Sequence, residues 1–214
     1  MEISIDKQHI EPVVRSVVLC SLANQKERYV PAAISNRHVH LSSEHIAALF
    51  GNGFEHTIQK QLSQPGQYAC VETVHLKGSK GAGLNVRVLG PARKETQVEI
   101  SLTDAYTLGI PPVFRLSGDL AGSQGCTLAG PNGEVHLQTG VIVALRHLHM
   151  SAEQAAAYGL KNGEIVRLKK QGIRGVILDQ VQVRSGDGHD LELHIDTDEA
   201  NAADIHNGDY LEIV

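Results

Sequence analysis

A chain of 214 residues with a formal net charge of −5 carries no basic field of the kind that recruits nucleic acid, so an anionic substrate has to be held by a local cluster of cations. With 42% hydrophobic and 20% charged residues the composition is that of an ordinary globular protein, long enough to bury a good core in one large domain or two small ones. Cys20, Cys70 and Cys126 are far apart and argue against a disulfide framework or a cysteine-type zinc site, no apolar run approaches the about 20 residues of a membrane helix, and no basic stretch leading into an apolar core predicts a secretory signal.

In chain order, Ile10, Val13, Val14, Val17 and Val18 recur at helical spacing with Pro12 near the first turn, which predicts a short amphipathic helix weakened by its β-branched content. Asn24-Gln25-Lys26-Glu27-Arg28 reads as a polar linker. Residues 1–28 are therefore an appendage, either a helix packed on the main body or a docking tag. Tyr29 to Ile34 is a predicted strand, followed through Ser35-Asn36 by His38-Val39-His40. Ser42 has the character of an N-cap for a helix to about Phe50, with Gly51 as its terminator.

From Gly66 the pattern changes to alternation and turns, predicting strands at Val71–Leu76, Asn85–Leu89, Thr96–Leu102 and Val113–Leu116. Gly78-Ser79-Lys80-Gly81-Ala82-Gly83 is a turn that lacks the Gly-Lys-Ser/Thr of a phosphate loop. Pro131-Asn132-Gly133 marks a hairpin turn, followed by further strands at Val135–Leu137 and Val141–Leu145. Ser151-Ala152-Glu153-Gln154 is a capping box. The last third alternates turns with strands at Ile165–Leu168, Gly175–Arg184, Leu191–Ile195 and Tyr210–Val214. Many short strands, few helices and 21 glycines predict closed β-barrels with small helical caps.

One stretch occurs twice. Arg37-His38-Val39-His40-Leu41-Ser42-Ser43-Glu44 returns as Arg146-His147-Leu148-His149-Met150-Ser151-Ala152-Glu153, and from Arg37 to Ala48 seven of twelve positions are identical at an offset of 109. That offset is about half the chain, so it points to two related halves rather than a solenoid. In a strand, residues i and i+2 face the same side, so each His-x-His presents two imidazoles together. A single pair reads as ordinary surface histidines; two in the same context, in a chain with twelve histidines, read as metal ligands at a centre shared between halves.

Other candidates carry plain alternatives. Glu99, on the polar face of Gln97–Leu102, is either a solvated glutamate or a ligand, and His194, opposite the apolar side chains of Leu191–Ile195, is either a surface histidine or a ligand. Arg93, in Gly90-Pro91-Ala92-Arg93-Lys94, is a solvated basic turn or an anion clamp whose guanidinium forks onto phosphate. Ser117, in Arg115-Leu116-Ser117-Gly118-Asp119, belongs to a turn whose N–H groups could cradle an oxyanion. No Gly-x-Ser-x-Gly elbow or Cys/His pair points to a covalent acyl-enzyme.

Four separated motifs in order, Ser35-Asn36-Arg37-His38-Val39-His40-Leu41-Ser42, Val86 through Glu99, Leu116-Ser117-Gly118-Asp119 and Arg146-His147-Leu148-His149-Met150, resemble the PduL-type phosphotransacylases, also called phosphate propanoyltransferases. The resemblance runs from about Tyr29 to Val214. It implies a mainly β fold of two β-barrels capped by short α-helices, the first strand completing the C-terminal barrel. The implied domains are residues 29–36 with 145–214 around an inserted 37–144, with the active site between them. It implies interconversion of a short-chain acyl-CoA, such as propanoyl-CoA, plus phosphate with acyl phosphate plus CoA.

The resemblance further implies two Zn2+ per chain, one on His38, His40 and Glu99 and one on His147, His149 and His194. Arg93 would be the catalytic phosphate-binding residue with Ser117 nearby, and Ser35, Lys60, Arg87, Leu89 and Asn201 would line a CoA groove. Partners are then acyl-CoA and phosphate, with no nucleic acid and no membrane; a homo-oligomer is allowed. Members often carry an N-terminal amphipathic segment that directs them into bacterial microcompartments. Residues 1–28 have that character, implying a cytoplasmic enzyme inside such a compartment that meets shell or cargo proteins through its N-terminus. Two other classes remain compatible with the residues: a zinc-dependent thioester hydrolase, and a metal-binding barrel without catalysis.

Deleting residues 1–24 is expected to leave soluble, active enzyme with reduced self-association or cargo packaging, read by size-exclusion chromatography and co-purification. Loss of folding would assign the Ile10–Val18 stripe to the core instead.

Overall fold

The computed structural model describes residues 28–79 and 81–214, so the expected N-terminal helix lies outside the described residues. The chain runs β1 (Tyr29–Ser35), β2 (His38–Ser42), α1 (Ser43–Phe50), β3 (Ile58–Gln61), β4 (Tyr68–Lys77), β5 (Gly83–Arg93) and β6 (Gln97–Glu99). It continues α2 (Leu102–Leu108), β7 (Phe114–Arg115), β8 (Gln124–Ala129), β9 (Glu134–Ala144), β10 (His147–Met150) and α3 (Ala152–Tyr158). The last elements are β11 (Ile165–Lys170), β12 (Val176–Ser185), β13 (Glu192–Asp196), α4 (Thr197–Ala203) and β14 (Tyr210–Ile213). The fold is mainly β with short helices, as expected.

One sheet closes into a barrel in the order β1-β13-β10-β12-β11-β14. The first strand thus belongs with the last five, held antiparallel to β14 and parallel to β13. The second sheet, β2 to β9, holds an equivalent circuit. Strand β2 lies parallel to β5 and antiparallel to β6, as β10 lies parallel to β12 and antiparallel to β13. Strand β6 is parallel to β9, β9 antiparallel to β8, β8 antiparallel to β4 and β4 antiparallel to β5. This repeats the senses of β13, β1, β14, β11 and β12 pair by pair. The sequence repeat at an offset of 109 is therefore the visible remnant of a duplicated strand circuit.

Each circuit encloses its own apolar core. Val30, Leu148, Leu168, Val183, Leu193 and Leu211 meet in one, and Val39, Leu41, Leu76, Val88, Val98 and Leu128 in the other. The central strands β2 and β10 are buried at every position. Val39 and Leu41, like Leu148 and Met150, fill the cores, so the alternate positions carry the histidines to the opposite face.

The helices begin where their caps say they should. Ser42 caps α1 through a bond from the His45 N–H, and Ser151 with Gln154 forms the capping box of α3. Ser101 with Asp104 forms another box, and it corrects the strand expected over Thr96–Leu102: pairing stops at Glu99 and α2 starts at Leu102. The alternation of Gln97–Leu102 hid a cap whose side chain satisfies the helix N-terminus. Helix α4, capped by Asp196 with Glu199, and strands β3 and β8 are further elements the periodicity did not reveal. Val135–Leu137 and Val141–Ala144 are parts of one long strand, β9, which runs through Gly140 at a φ of 127° and ends before Leu145.

Leu168→Ala, which empties a fully buried position in β11 away from the histidines, is expected to cost about 2–5 kcal/mol in urea unfolding. Ile173→Ala, at a fully exposed side chain, is expected to stay within about 0.5 kcal/mol of the parent.

Candidate active site

The duplicated circuits place equivalent residues around one cavity. His38 pairs in register with Glu99, and His147 with His194. One residue further along the same faces, His40 pairs with Gln97 and His149 with Glu192. Directly opposed residues of an antiparallel pair share a face. Glu99 and His194 are thus the same structural position in the two halves. All four His-x-His imidazoles are buried, and so is Glu99, at 7% exposure, which rejects the reading of a solvated glutamate.

Hydrogen bonds orient the rings. The Nδ1–H of His38 donates to the Asn36 carbonyl at 2.8 Å, and that of His147 to the Leu145 carbonyl at 2.8 Å. A carbonyl only accepts, so each ring turns its Nε2 lone pair inward. The Nε2 of His147 then lies 3.1 Å from the Nε2 of His149, whose Nδ1 is buried without a partner. His194 donates through Nε2 to the Glu192 carboxylate at 2.8 Å, which leaves the lone pair on its Nδ1. Ligand atoms of His147, His149 and His194 lie within 4.8 Å of one another. Converging lone pairs with an orphaned buried nitrogen fit a cation.

The other set is arranged differently. His38 Nε2 is 3.6 Å from Glu99 Oε2, while His40 Nε2 accepts a hydrogen bond from Arg93 Nη2 at 2.8 Å, and His40 Nδ1 is orphaned. The donor set of two imidazoles and a carboxylate fits a divalent metal once Arg93 leaves His40. Burial, then neighbouring charge, pushes His40 down to about 2 and His147 down to about 4, so both rings are neutral and able to ligate at neutral pH. Burial also lowers His149. Burial opposes the charge on Glu99, but His38, a hydrogen bond from Ser117 and the further histidines outweigh it and hold the carboxyl at about 2.

Arg93 reaches Ser117 Oγ at 3.5 Å. Gln97 connects the pieces: its Nε2 donates to Ser117 Oγ at 2.8 Å and to Glu99 Oε1 at 2.5 Å, and its Oε1 accepts the Gly118 N–H at 2.7 Å. Gly118 holds φ at 99°, where a side chain would be strained. Arg184 lies opposite His149 on β12, and its guanidinium makes no hydrogen bond or ion pair with any described residue. Burial lowers the pKa of both arginines, and the remaining charge asks for an anion.

These groups line a cavity of about 690 Å³ between the two sheets. Ser35, Lys60, Arg87, Leu89, Arg93, Glu99, Ser117 and the five histidines named above all lie on its wall. Arg87 is partly engaged, donating to the Cys70 and Val71 carbonyls at 3.0 and 2.6 Å. Asn201 does not reach that wall; it is exposed on α4, whereas Asn207 lines the cavity and accepts the Ile34 N–H at 2.7 Å.

A sequence profile of phosphate propanoyltransferases matches residues 31–206. The chain belongs to the phosphate propanoyltransferase family. It is 52% identical over 191 residues to the phosphate propanoyltransferase of Thermotoga maritima, covering 89% of this chain and 91% of that protein. It is 52% identical over 178 residues to that of Rhodobacter capsulatus, covering 83% of each, and 48% identical over 206 residues to that of Priestia megaterium, covering 96% and 95%. The protein is accordingly an acyltransferase, and its family supports phosphate acyltransferase activity.

For a phosphate propanoyltransferase family member, Arg184, His189 and Glu192 on the cavity wall, and Gln97 bonded to Glu99 and Ser117, are among the residues that sequence reading missed. Gln97 and Glu192 flank the proposed ligands at i−2, and that spacing was the available signal. Arg184 carried none. Two outer ion pairs also repeat: Arg37 forks onto Asp104 at 2.9 and 2.7 Å, and Arg146 bonds Glu199 at 2.6 Å. Each joins the residue before His-x-His to a capping-box carboxylate of the helix that follows the third cluster residue.

In metal-free protein the depressed histidine pKa values give a sign. The unfolded chain binds protons from about pH 6.5 downward, while His147 in the fold waits until about 4, so stability falls on acidification through that window. Glu99 extends the loss toward about 2. Urea unfolding across this range should show a shallower pH dependence for His147→Asn than for the parent.

Proposed function

We propose that this family member is a zinc-dependent phosphate acyltransferase that converts a short-chain acyl-CoA and phosphate to acyl phosphate and CoA by direct attack of phosphate on the thioester. The observation that carries this reading is the pair Arg93 and Arg184 on the wall of the cavity that also holds both histidine clusters. His38, His40 and Glu99 would hold one ion, and His147, His149 and His194 the other. Bound Zn2+ supplies Lewis acidity toward a thioester carbonyl and a soft partner for a thiolate.

Arg93 and Arg184 bind phosphate, Arg93 leaving His40 for the substrate, and orient one oxygen toward the carbonyl carbon. Gln97 fixes Ser117 and Gly118 beside Arg93. A C–O bond forms, the C–S bond breaks, and the electron pair leaves with the CoA sulfur. Ser35, Lys60, Arg87 and Leu89 line the side of the cavity that takes CoA; Asn201, exposed on α4, is the weakest member of that set. Burial pushes the Cys70 thiol up to about 11 and the Cys126 thiol up to about 12, which makes either a poor nucleophile at neutral pH and favours direct transfer.

We assign residues 29–36 with 145–214 to one domain and 37–144 to the inserted one, supported by the separate strand circuits and cores. Encapsulation in a bacterial microcompartment through residues 1–28 rests on the Ile10–Val18 stripe, outside the described residues. No helix among the described residues is long and apolar enough to cross a membrane.

The decisive assay is phosphate-dependent release of CoA from acetyl-CoA and propanoyl-CoA. Initial-rate plots against both substrates should intersect; parallel plots, or an acyl group trapped on the protein, would require a nucleophile. His147→Ala should abolish transfer and lower bound zinc while the fold persists by circular dichroism. Arg93→Ala should raise the KM for phosphate roughly 10- to 150-fold, the equivalent of about 1.5–3 kcal/mol for a lost charge-assisted hydrogen bond. Unchanged thioester hydrolysis in that variant would favour a hydrolase instead.

A further inference from the structure

A second cluster of ligand-type side chains lies outside the cavity. Cys70 and Glu72 are i and i+2 on β4 and so share a face. His56 reaches them from the segment between α1 and β3. That segment is pinned by the Val71 N–H on the Thr57 carbonyl at 2.8 Å and by the Thr57 N–H on both Glu72 oxygens at 3.1 and 3.2 Å. One ligand atom from each of His56, Cys70 and Glu72 lies within 4.8 Å of the other two.

The imidazole of His56 is the unexplained group. Its side chain is 8% exposed, and both ring nitrogens are buried without a hydrogen bond. Glu72 Oε2 lies 3.5 Å from Nδ1, too far for a good bond. The ring packs edge-on against Phe50 and Phe54, with centroids 5.2 and 5.4 Å away, so packing fixes it with a nitrogen in reach of the Cys70–Glu72 pair. A buried polar group without a partner marks strain, catalysis or a missing ion.

We propose that His56, Cys70 and Glu72 form an additional cation site, for Zn2+ or a metal of like preference, distinct from the two histidine clusters of the cavity. Nitrogen, thiolate and carboxylate donors in one set are what such a metal takes, with a fourth position left for water. Burial lowers His56, so the ring is neutral and offers a lone pair. Coordination removes the Cys70 thiol proton to solvent, one proton per ion bound. None of the three side chains lines the cavity. The ion would instead fasten the segment ahead of β3 to β4. Strand β3 is exposed along its whole length, pairs among the described residues only with β4, and carries Lys60 into the cavity wall. An ion here braces that edge.

Cobalt distinguishes this site from the cavity, whose proposed ligands include no protein thiol. CoA-free full-length protein, stripped with chelator and titrated with Co2+ until all sites are filled, should develop a near-ultraviolet thiolate-to-cobalt charge-transfer band with the amplitude of a single thiolate-bound ion per chain. Cys70→Ala and His56→Leu, the latter keeping an apolar side chain against the phenylalanines, should each abolish the band and lower zinc content by one equivalent per chain. Cys126→Ser should keep both. Absence of the band, its survival in Cys70→Ala, or unchanged zinc content in both variants would overturn the site. The readouts do not involve acyl transfer, so they stand or fall independently of the proposed reaction.

Discussion

An imidazole taken out of water has to have both of its nitrogens accounted for. Four histidines on the two central strands, β2 and β10, meet that demand only in part. His38 and His147 each satisfy one nitrogen on a carbonyl two residues upstream, which turns the other inward. His40 and His149 each keep an orphaned Nδ1. Strands buried on both faces normally carry apolar side chains throughout. Here one face is apolar and the other is imidazole, so the polar face must meet something that neutral protein groups do not provide. The cavity, the arginines and the carboxylates are arranged around that deficit.

Duplication of the strand circuit explains why the deficit appears twice and why the two versions differ. The same register sets Glu99 against His38 and His194 against His147. One cluster therefore carries its own anionic donor. The other is all imidazole, and its carboxylate, Glu192, sits behind His194 as a hydrogen-bond acceptor that fixes the tautomer. Outside both, Arg37–Asp104 and Arg146–Glu199 tie the start of each central strand to the helix beyond the third residue. These pairs hold two strand ends in fixed relation, which a cluster assembled from different strands needs.

The charge balance of the whole molecule and that of the cavity have opposite signs. A chain of net charge −5 collects Arg87, Arg93, Arg184 and Lys60 around one concavity. Arg87 spends part of its donor capacity on backbone carbonyls, and Arg93 rests on His40 and Ser117. Arg184 has no such partner among the described residues. The set of cations is thus graded, from engaged to free.

Local chemistry was legible in the chain. The repeated His-x-His, the Ser42 and Ser151 caps, the Pro131-Asn132-Gly133 hairpin and the β-rich pattern depend on contacts between near neighbours, and period-2 alternation correctly placed His194 opposite the apolar side chains of its strand. The motifs in Val86–Glu99 and Leu116–Asp119 also carried the family resemblance. Alternation says which face a residue takes, but not which strand lies alongside or what covers that face. Alternation therefore left Glu99 open between a solvated glutamate and a ligand, and the tertiary structure buries it beside His38. For the same reason only the fold could make Glu99 and His194 equivalent, bring Arg184 opposite His149, leave Asn201 outside the cavity, and gather His56 with Cys70 and Glu72. Each depends on strand register across dozens of residues, which hydrogen bonding and core packing decide together and no local pattern encodes.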